Sequence, residues 1–87
     1  MIDVYKVLFT SKGRKTLMDF ELPQRQRIMR YVDKLDFPFP INFDIKKLSA
    51  EKAHYRLRVG DIRVLMEVDH GKKIIWVLKI GYRGDVY

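Results

Sequence analysis

The hydrophobic pattern is most regular between residues 55 and 68, on either side of the pair Gly60-Asp61. Apolar residues occupy every second position there, which is typical of half-buried β-strands. A glycine followed by an aspartate suits a two-residue turn in which the glycine takes a positive φ angle. The segment therefore predicts a β-hairpin. The pairs expected next to its turn are Val59 with Ile62 and Arg58 with Arg63.

The predicted hairpin places two arginines, Arg58 and Arg63, directly opposite each other. Like charges in this arrangement destabilise a sheet. A bound polyanion offsets that cost, so the pair favours an anion-binding site. The alternative interpretation is a hairpin whose arginines simply extend into water.

Two short helices are predicted between a first strand, residues 2–9, and the hairpin. The first helix spans residues 15–21, with Ser11 as a plausible N-cap and Gly13 as a weak helix former in its first turn. The second begins at Pro23 and places apolar residues at helical spacing on one face. Both helices are expected to pack on the sheet.

The remaining pattern completes an α+β fold. The prolines within residues 37–40 end the second helix, and residues 42–48 form an irregular or short extended segment. Residues 74–78 form an apolar strand, in which Trp76 is interpreted as a core residue rather than a base-stacking platform. The predicted order is strand, helix, helix, strand, strand, strand, with a mostly antiparallel sheet of about four strands.

Composition limits the function classes. With 87 residues, 47% of them hydrophobic, the chain is expected to form one domain, residues 1–87. The absence of cysteine excludes disulfides and thiolate chemistry, and His54 and His70 lack metal-ligand spacing, so no metal is expected. The apolar run 74–78 is too short to span a membrane, and the N-terminus resembles a strand rather than a signal peptide. We therefore expect a cytoplasmic protein without a membrane contact.

The net charge of +7 points to nucleic acid or an acidic protein as the partner. Basic residues cluster in two places outside the hairpin. They are Arg27, Arg30 and Lys34 along the second helix, and Lys46, Lys47 and Lys52 in the connection that follows it. On sequence alone, a solvated surface is the simpler interpretation of the helix group, and the second group has the same ambiguity.

Four segments together carry a family resemblance. They are the hairpin residues 55–65, the turn at 70–71, residues 81–83 after the apolar strand, and residues 86–87. In this order and at these separations they resemble the RelE/ParE toxin superfamily, and the resemblance covers the whole chain. The chain is more similar to the short archaeal-type RelE toxins than to the bacterial ones.

The resemblance implies a toxin of a type II toxin–antitoxin system that cleaves messenger RNA in the ribosomal A site without a cofactor. It implies that Arg58, Arg63 and Arg83 clamp the phosphate and stabilise its charge. Tyr87 would orient the nucleotide or transfer a proton. The implied RNA contacts are Arg56, Arg27, Arg30, Lys34, Lys46 and Lys47. The implied partners are a RelB-like antitoxin, ribosomal RNA and messenger RNA, with DNA bound only through the antitoxin complex.

One departure from the family pattern concerns the proton that leaves the attacking hydroxyl. Arg56 and Arg58 stand where bacterial RelE toxins often have lysines, and an arginine cannot act as a base near neutral pH. If a lysine normally handles this proton, the chain must use Tyr87, Glu67, His54 or a ribosomal group instead.

Two other functions fit the same resemblance. ParE-type members share the fold but inhibit DNA gyrase without catalysis, and an inactive homologue would serve only to hold an antitoxin. The presence of Arg63, Arg83 and Tyr87 favours the nuclease.

Overall fold

The computed structural model describes residues 4–49 and 53–82, which form two helices and a five-stranded sheet. The elements in chain order are β1 (Lys6–Phe9), α1 (Ser11–Met18), α2 (Leu22–Val32), β2 (Asp44–Lys47), β3 (His54–Val59), β4 (Ile62–Asp69) and β5 (Ile74–Tyr82). The predicted α+β class is confirmed. The segment predicted as irregular or short extended structure is a strand, β2, which brings the sheet to five strands rather than about four. Neither helix is long and apolar enough to cross a membrane.

The strands lie in the order β1-β5-β4-β3-β2. Only the β1–β5 pair within the described residues is parallel, and the other neighbours are antiparallel. The hairpin register is confirmed, since Val59 pairs with Ile62 and Arg58 pairs with Arg63. Gly60 has a φ angle of 60°, as a two-residue turn requires.

One face of the sheet holds the core, because α2 and its following turn cover it. Ile28 and Val32 from α2 are fully or almost fully buried, at 0% and 1% exposure. They lie in one cluster with the inward-facing residues of the sheet. The buried residues contributed by the three central strands are Leu57, Val59, Ile62, Val64, Met66, Val68, Ile75, Val77 and Ile80. The other face of the sheet, which we call the open face, carries the alternate residues of the same strands.

Helix α1 covers the edge of β5 beyond the end of β1. Thr10 is its N-cap, with Oγ1 accepting from the Gly13 N–H at 3.0 Å, so the predicted cap, Ser11, is wrong by one residue. The Thr10 hydroxyl also contacts the Val77 carbonyl at 3.2 Å, and Thr16 Oγ1 accepts from the Ile80 N–H at 2.9 Å. The contact from Thr16 satisfies the N–H of Ile80, which lies beyond the end of β1.

A bulge in β5 changes which of its residues face the open side. Leu65 pairs with Lys79 while the next residue, Met66, pairs with Val77, so Leu78 is an extra residue in β5. Trp76 and Lys79 therefore share the open face, although they are three residues apart and strict alternation would put them on opposite faces. The sequence predicts Trp76 in the core, and this prediction is wrong. Trp76 is half-buried, pairs with Glu67 and does not belong to the core cluster.

Candidate nucleic-acid interface

Basic side chains gather on the open face in two cross-strand rows, since directly paired residues project on the same side of a sheet. The row nearest the hairpin turn is Asp44, Arg58, Arg63 and Gly81, and the next row is Lys46, Arg56, Leu65 and Lys79. We call these two rows the cationic rows. They contain five cations and one carboxylate, an arrangement that suits a polyanion.

Arg63 is the most constrained of these cations. Only 5% of the residue is exposed, and Nη1 donates a hydrogen bond to the Gly60 carbonyl at 3.0 Å. Arginine is almost never this buried unless it is paired. The turn therefore fixes this guanidinium in place before any ligand arrives, which reduces the entropy lost on binding.

Arg58, its cross-strand neighbour, is held much more loosely. Its side chain is 46% exposed, and Nη1 lies 3.7 Å from Oδ2 of Asp44, which is itself 56% exposed. A surface ion pair of this kind contributes little and exchanges readily. A phosphate that approaches the open face can therefore take the place of Asp44.

Helix α2 brings a third guanidinium to the hairpin turn. A Cβ atom placed on Gly60 would lie 2.8 Å from Nη2 of Arg27, so the Arg27 side chain rests against the turn. The same residue, Gly60, thus contacts Arg27 and hydrogen-bonds Arg63. Arg30 lies on the exposed side of α2. Lys34 follows the C-terminal end of α2 and lines a shallow cavity together with Asp36 and Tyr5.

The edge strand β2 divides its two lysines between the two sides of the sheet. Lys46 pairs with Arg56 and belongs to the open face, whereas Lys47 pairs with Tyr55 and projects to the opposite side. The structure therefore joins Lys46, but not Lys47, to the cationic rows.

Three of the residues singled out from the sequence, Lys52, Arg83 and Tyr87, lie outside the described residues. Along the chain, Arg83 directly follows the end of β5 at Tyr82. Gly81, two residues earlier, pairs with Arg63.

The two candidate proton acceptors within the described residues lie away from the arginines. His54 Nε2 and Glu67 Oε1 are 2.7 Å apart and form a pair. Glu67 is four residues from Arg63 along β4, which corresponds to roughly 14 Å. A general base must come within about 3 Å of the proton it removes. Neither residue meets that requirement for a phosphate bound at Arg63.

Several contributors to this interface have no clear sequence signal. The register of β2 places Asp44 next to Arg58. The bulge in β5 places Lys79 on the open face, opposite Leu65. The sequence predicts Gly60 as a turn residue, but it does not predict the hydrogen bond from Arg63 to its carbonyl. A three-residue separation between an arginine and the start of a tight turn is the only hint of that bond in the sequence.

No protein-family model matches the chain, and no curated protein matches it either. Solved structures do match. A chain of the archaeal RelE–RelB complex from Pyrococcus horikoshii is 31% identical, with 94% of this chain and 98% of that chain covered and a TM-score of 0.77. A chain of the RelB–RelE complex from Methanococcus jannaschii is 25% identical over 92% and 94% of the two chains, with a TM-score of 0.74.

A mutant of the E. coli toxin RelE in the free state shares the fold, at 17% identity, 97% and 88% coverage and a TM-score of 0.76. The archaeal match reaches 31% identity over nearly the full length of both chains, and the hairpin whose residues carry the resemblance is present. The chain therefore belongs to the RelE toxin family.

Proposed function

We propose that this protein is the toxin of a type II toxin–antitoxin pair and a ribosome-dependent endonuclease that cleaves messenger RNA in the A site. The observation that carries the proposal is the cross-strand pair of Arg58 and Arg63 on the open face. One guanidinium is fixed and buried, and the other is exposed and only loosely paired. Two adjacent cations of this kind are unfavourable in a free sheet and favourable once a phosphate lies between them.

The proposed reaction is attack of a ribose 2′-hydroxyl on the adjacent phosphorus. The P–O bond to the 5′-oxygen of the next nucleotide breaks, which leaves a 2′,3′-cyclic phosphate and a 5′-hydroxyl. Extra negative charge develops on the pentacoordinate phosphorus, and planar, permanently charged guanidiniums stabilise that charge. Arg58, Arg63 and Arg83 supply them. We propose a metal-independent reaction, because the guanidiniums themselves neutralise the charge that develops on the phosphorus.

Proton transfer is the step for which the arginines are unsuited. Because the His54–Glu67 pair lies roughly 14 Å along β4 from Arg63, we assign the protein's part in this step to Tyr87. A ribosomal group supplies the rest of the proton transfer, so we expect isolated RNA to be a poor substrate. Within residues 4–49 and 53–82, neither His54 nor Glu67 lies close enough to the arginine pair to act as the base, and this supports the proposed dependence on the ribosome.

The other cations are proposed to position RNA. Arg56 and Lys46 lie in the second cationic row, one step from Arg58, and would follow the messenger RNA backbone. Phosphate contacts of this kind fix orientation without reading sequence. The proposed contacts to ribosomal RNA lie on the helices' side of the sheet and on the edge strand. They are Arg27, Arg30, Lys34 and Lys47.

The proposed protein partner is a RelB-like antitoxin. In this proposal the toxin contacts DNA only as part of the toxin–antitoxin complex, and the complex is cytoplasmic. The matched structures from P. horikoshii and M. jannaschii are toxin–antitoxin complexes. A groove between α1 and α2 provides a suitable surface. Met18 and Leu22 in it are 58% and 56% exposed, and Arg14 and Arg25 also line it. The helices contain six cations and no carboxylate, so we propose an amphipathic antitoxin helix with acidic residues.

A cell-free translation reaction with primer extension tests the proposed function. Wild-type protein is expected to produce cuts in the A-site codon of ribosome-bound messenger RNA and few cuts in the same RNA without ribosomes. Lys72→Ala, an exposed change in the turn at the other end of β4, serves as the matched cationic control. If no cut appears with ribosomes and the protein instead blocks supercoiling by DNA gyrase, the nuclease proposal is wrong and the ParE-type function replaces it.

A further inference from the structure

Trp76 lies on the open face beside the cationic rows. It pairs with Glu67 on one side and Leu8 on the other, and Leu8 is 39% exposed. Within the described residues, Trp76 belongs neither to the core nor to the partly buried hydrophobic residues packed on it. Neither of the two helices in the described part of the chain covers this face, so the helices give the large aromatic ring no packing role there.

The bulge in β5 is what places this ring in line with the cations. Strict alternation would put Trp76 on the same side as Ile80, which is buried in the core. The extra residue, Leu78, instead puts Trp76 and Lys79 on the same side. On the open face, the cationic rows therefore lie nearest the hairpin turn. Trp76 lies in the next row along the strands, beside Leu8 of β1.

The charges around Trp76 are compatible with a nucleic acid. Its acidic neighbour, Glu67, is bonded to His54 at 2.7 Å, so that carboxylate already has a partner. The row that follows along the strands contains Lys46, Arg56 and Lys79. A positively charged track with an aromatic surface beside it is the usual means by which proteins hold single-stranded nucleic acid.

We propose that Trp76 is a stacking surface for a base of the single-stranded RNA whose phosphate is held by Arg58 and Arg63. This inference rests on the proposed function and adds a binding site to it. The row of Trp76 is roughly 14 Å from the row of Arg63 along the strands. At the 3.4 Å spacing of stacked bases, the base in question lies within about four nucleotides of the scissile phosphate.

The chain has one tryptophan, so its intrinsic fluorescence reports on Trp76 directly. A single-stranded oligoribonucleotide of about ten nucleotides, long enough to span the two rows, is titrated into the wild-type protein. An abasic ribose-phosphate oligomer of the same length carries the same charge without bases. Both are expected to bind, as followed by the anisotropy of a labelled end. Only the oligomer with bases is expected to quench and shift the tryptophan emission.

Variants supply a second readout. Trp76→Ala is expected to weaken binding of the oligoribonucleotide about 5- to 150-fold, the loss found when a stacking aromatic is removed. Trp76→Phe retains a ring and is expected to recover most of that loss. Binding of the abasic oligomer is expected to be the same for all three proteins. If Trp76→Ala does not fold, the wild-type fluorescence still decides the question.

Equal emission changes with both oligomers would overturn the proposal, as would unchanged binding in both variants. An acidic peptide that quenches Trp76 when RNA does not would show that the open face holds a protein instead. Ribosome-dependent cleavage without quenching would refute the stacking site and leave the nuclease intact. Quenching by RNA without cleavage on ribosomes would refute the nuclease and leave the stacking site intact.

Discussion

Arg58 and Arg63 are expected to be equally important for cleavage and unequal in their effect on stability. Replacement of either by alanine removes one positive charge from the proposed phosphate site. By analogy with the loss of one oxyanion-hole donor, each change is expected to slow cleavage about 10²- to 10³-fold. The difference between them arises from what each guanidinium does in the free protein.

Arg63→Ala removes the bond to the Gly60 carbonyl as well as the charge. A hydrogen bond from a charged group is worth about 1.5 to 3 kcal/mol. The loss of the repulsion between Arg63 and Arg58 stabilises the variant by about 0.2 to 1 kcal/mol and offsets part of this cost. The net loss in the free energy of unfolding is therefore about 0.5 to 2.8 kcal/mol, which for a domain of this size corresponds to a fall in Tm of roughly 2 to 22 °C.

Arg58→Ala removes only an exposed ion pair with Asp44. That pair contributes about 0.2 to 1 kcal/mol, and relief of the repulsion from Arg63 offsets it by a similar amount. The two effects nearly cancel. We expect a stability within about 0.5 kcal/mol of wild type, or roughly 4 °C in Tm.

The measurement combines thermal denaturation of the purified variants with primer extension on translating ribosomes. Arg58→Ala is the informative variant, because it is expected to separate activity from stability. A melting temperature for Arg58→Ala as low as that of Arg63→Ala would refute the assignment of a fixed and a loose guanidinium. Wild-type cleavage by either variant would remove that residue from the phosphate site.

Three further changes test other parts of the account. Gly13→Ala is expected to destabilise the fold by more than about 1 kcal/mol, because the new Cβ would overlap the Val77 carbonyl oxygen and outweigh the helix-propensity gain; an unchanged or higher Tm would contradict this packing. Arg83→Ala is expected to abolish growth arrest while antitoxin binding and Tm stay nearly unchanged; a soluble variant with full toxicity would exclude Arg83 from the site. Leu22→Glu is expected to weaken antitoxin binding more than tenfold, since it places a carboxylate on an apolar contact surface; an unchanged Kd in a titration with purified antitoxin would place the antitoxin elsewhere.

Local patterns predicted the hairpin because both of its determinants are local. The alternation of apolar residues fixes which side faces the core, and the positive φ of Gly60 fixes the turn. The pairing of Arg58 with Arg63 follows from these two facts alone. The Arg58–Arg63 pair of the candidate site can therefore be predicted from the hairpin sequence alone.

Features that depend on distant neighbours were missed or misread. The sequence predicts Trp76 in the core because the bulge that interrupts alternation within β5 is visible only in the pairing with β4. The N-cap of α1 is Thr10 rather than Ser11 because the Thr10 hydroxyl also bonds to the carbonyls of β5. The sequence predicts an irregular or short extended segment where β2 lies, because the pairing with β3, rather than the segment's own sequence, makes it a strand.

The most direct test of the central claim uses a programmed ribosome with one messenger RNA in two forms. In the second form the nucleotide on the 5′ side of the A-site cut carries a 2′-deoxyribose, and every other contact is preserved. We expect a cut in the first form, with a 2′,3′-cyclic phosphate and a 5′-hydroxyl at the new ends, and no cut in the second. Equal cleavage of both forms would contradict attack by the 2′-hydroxyl, and with it the role assigned to the arginines of the open face.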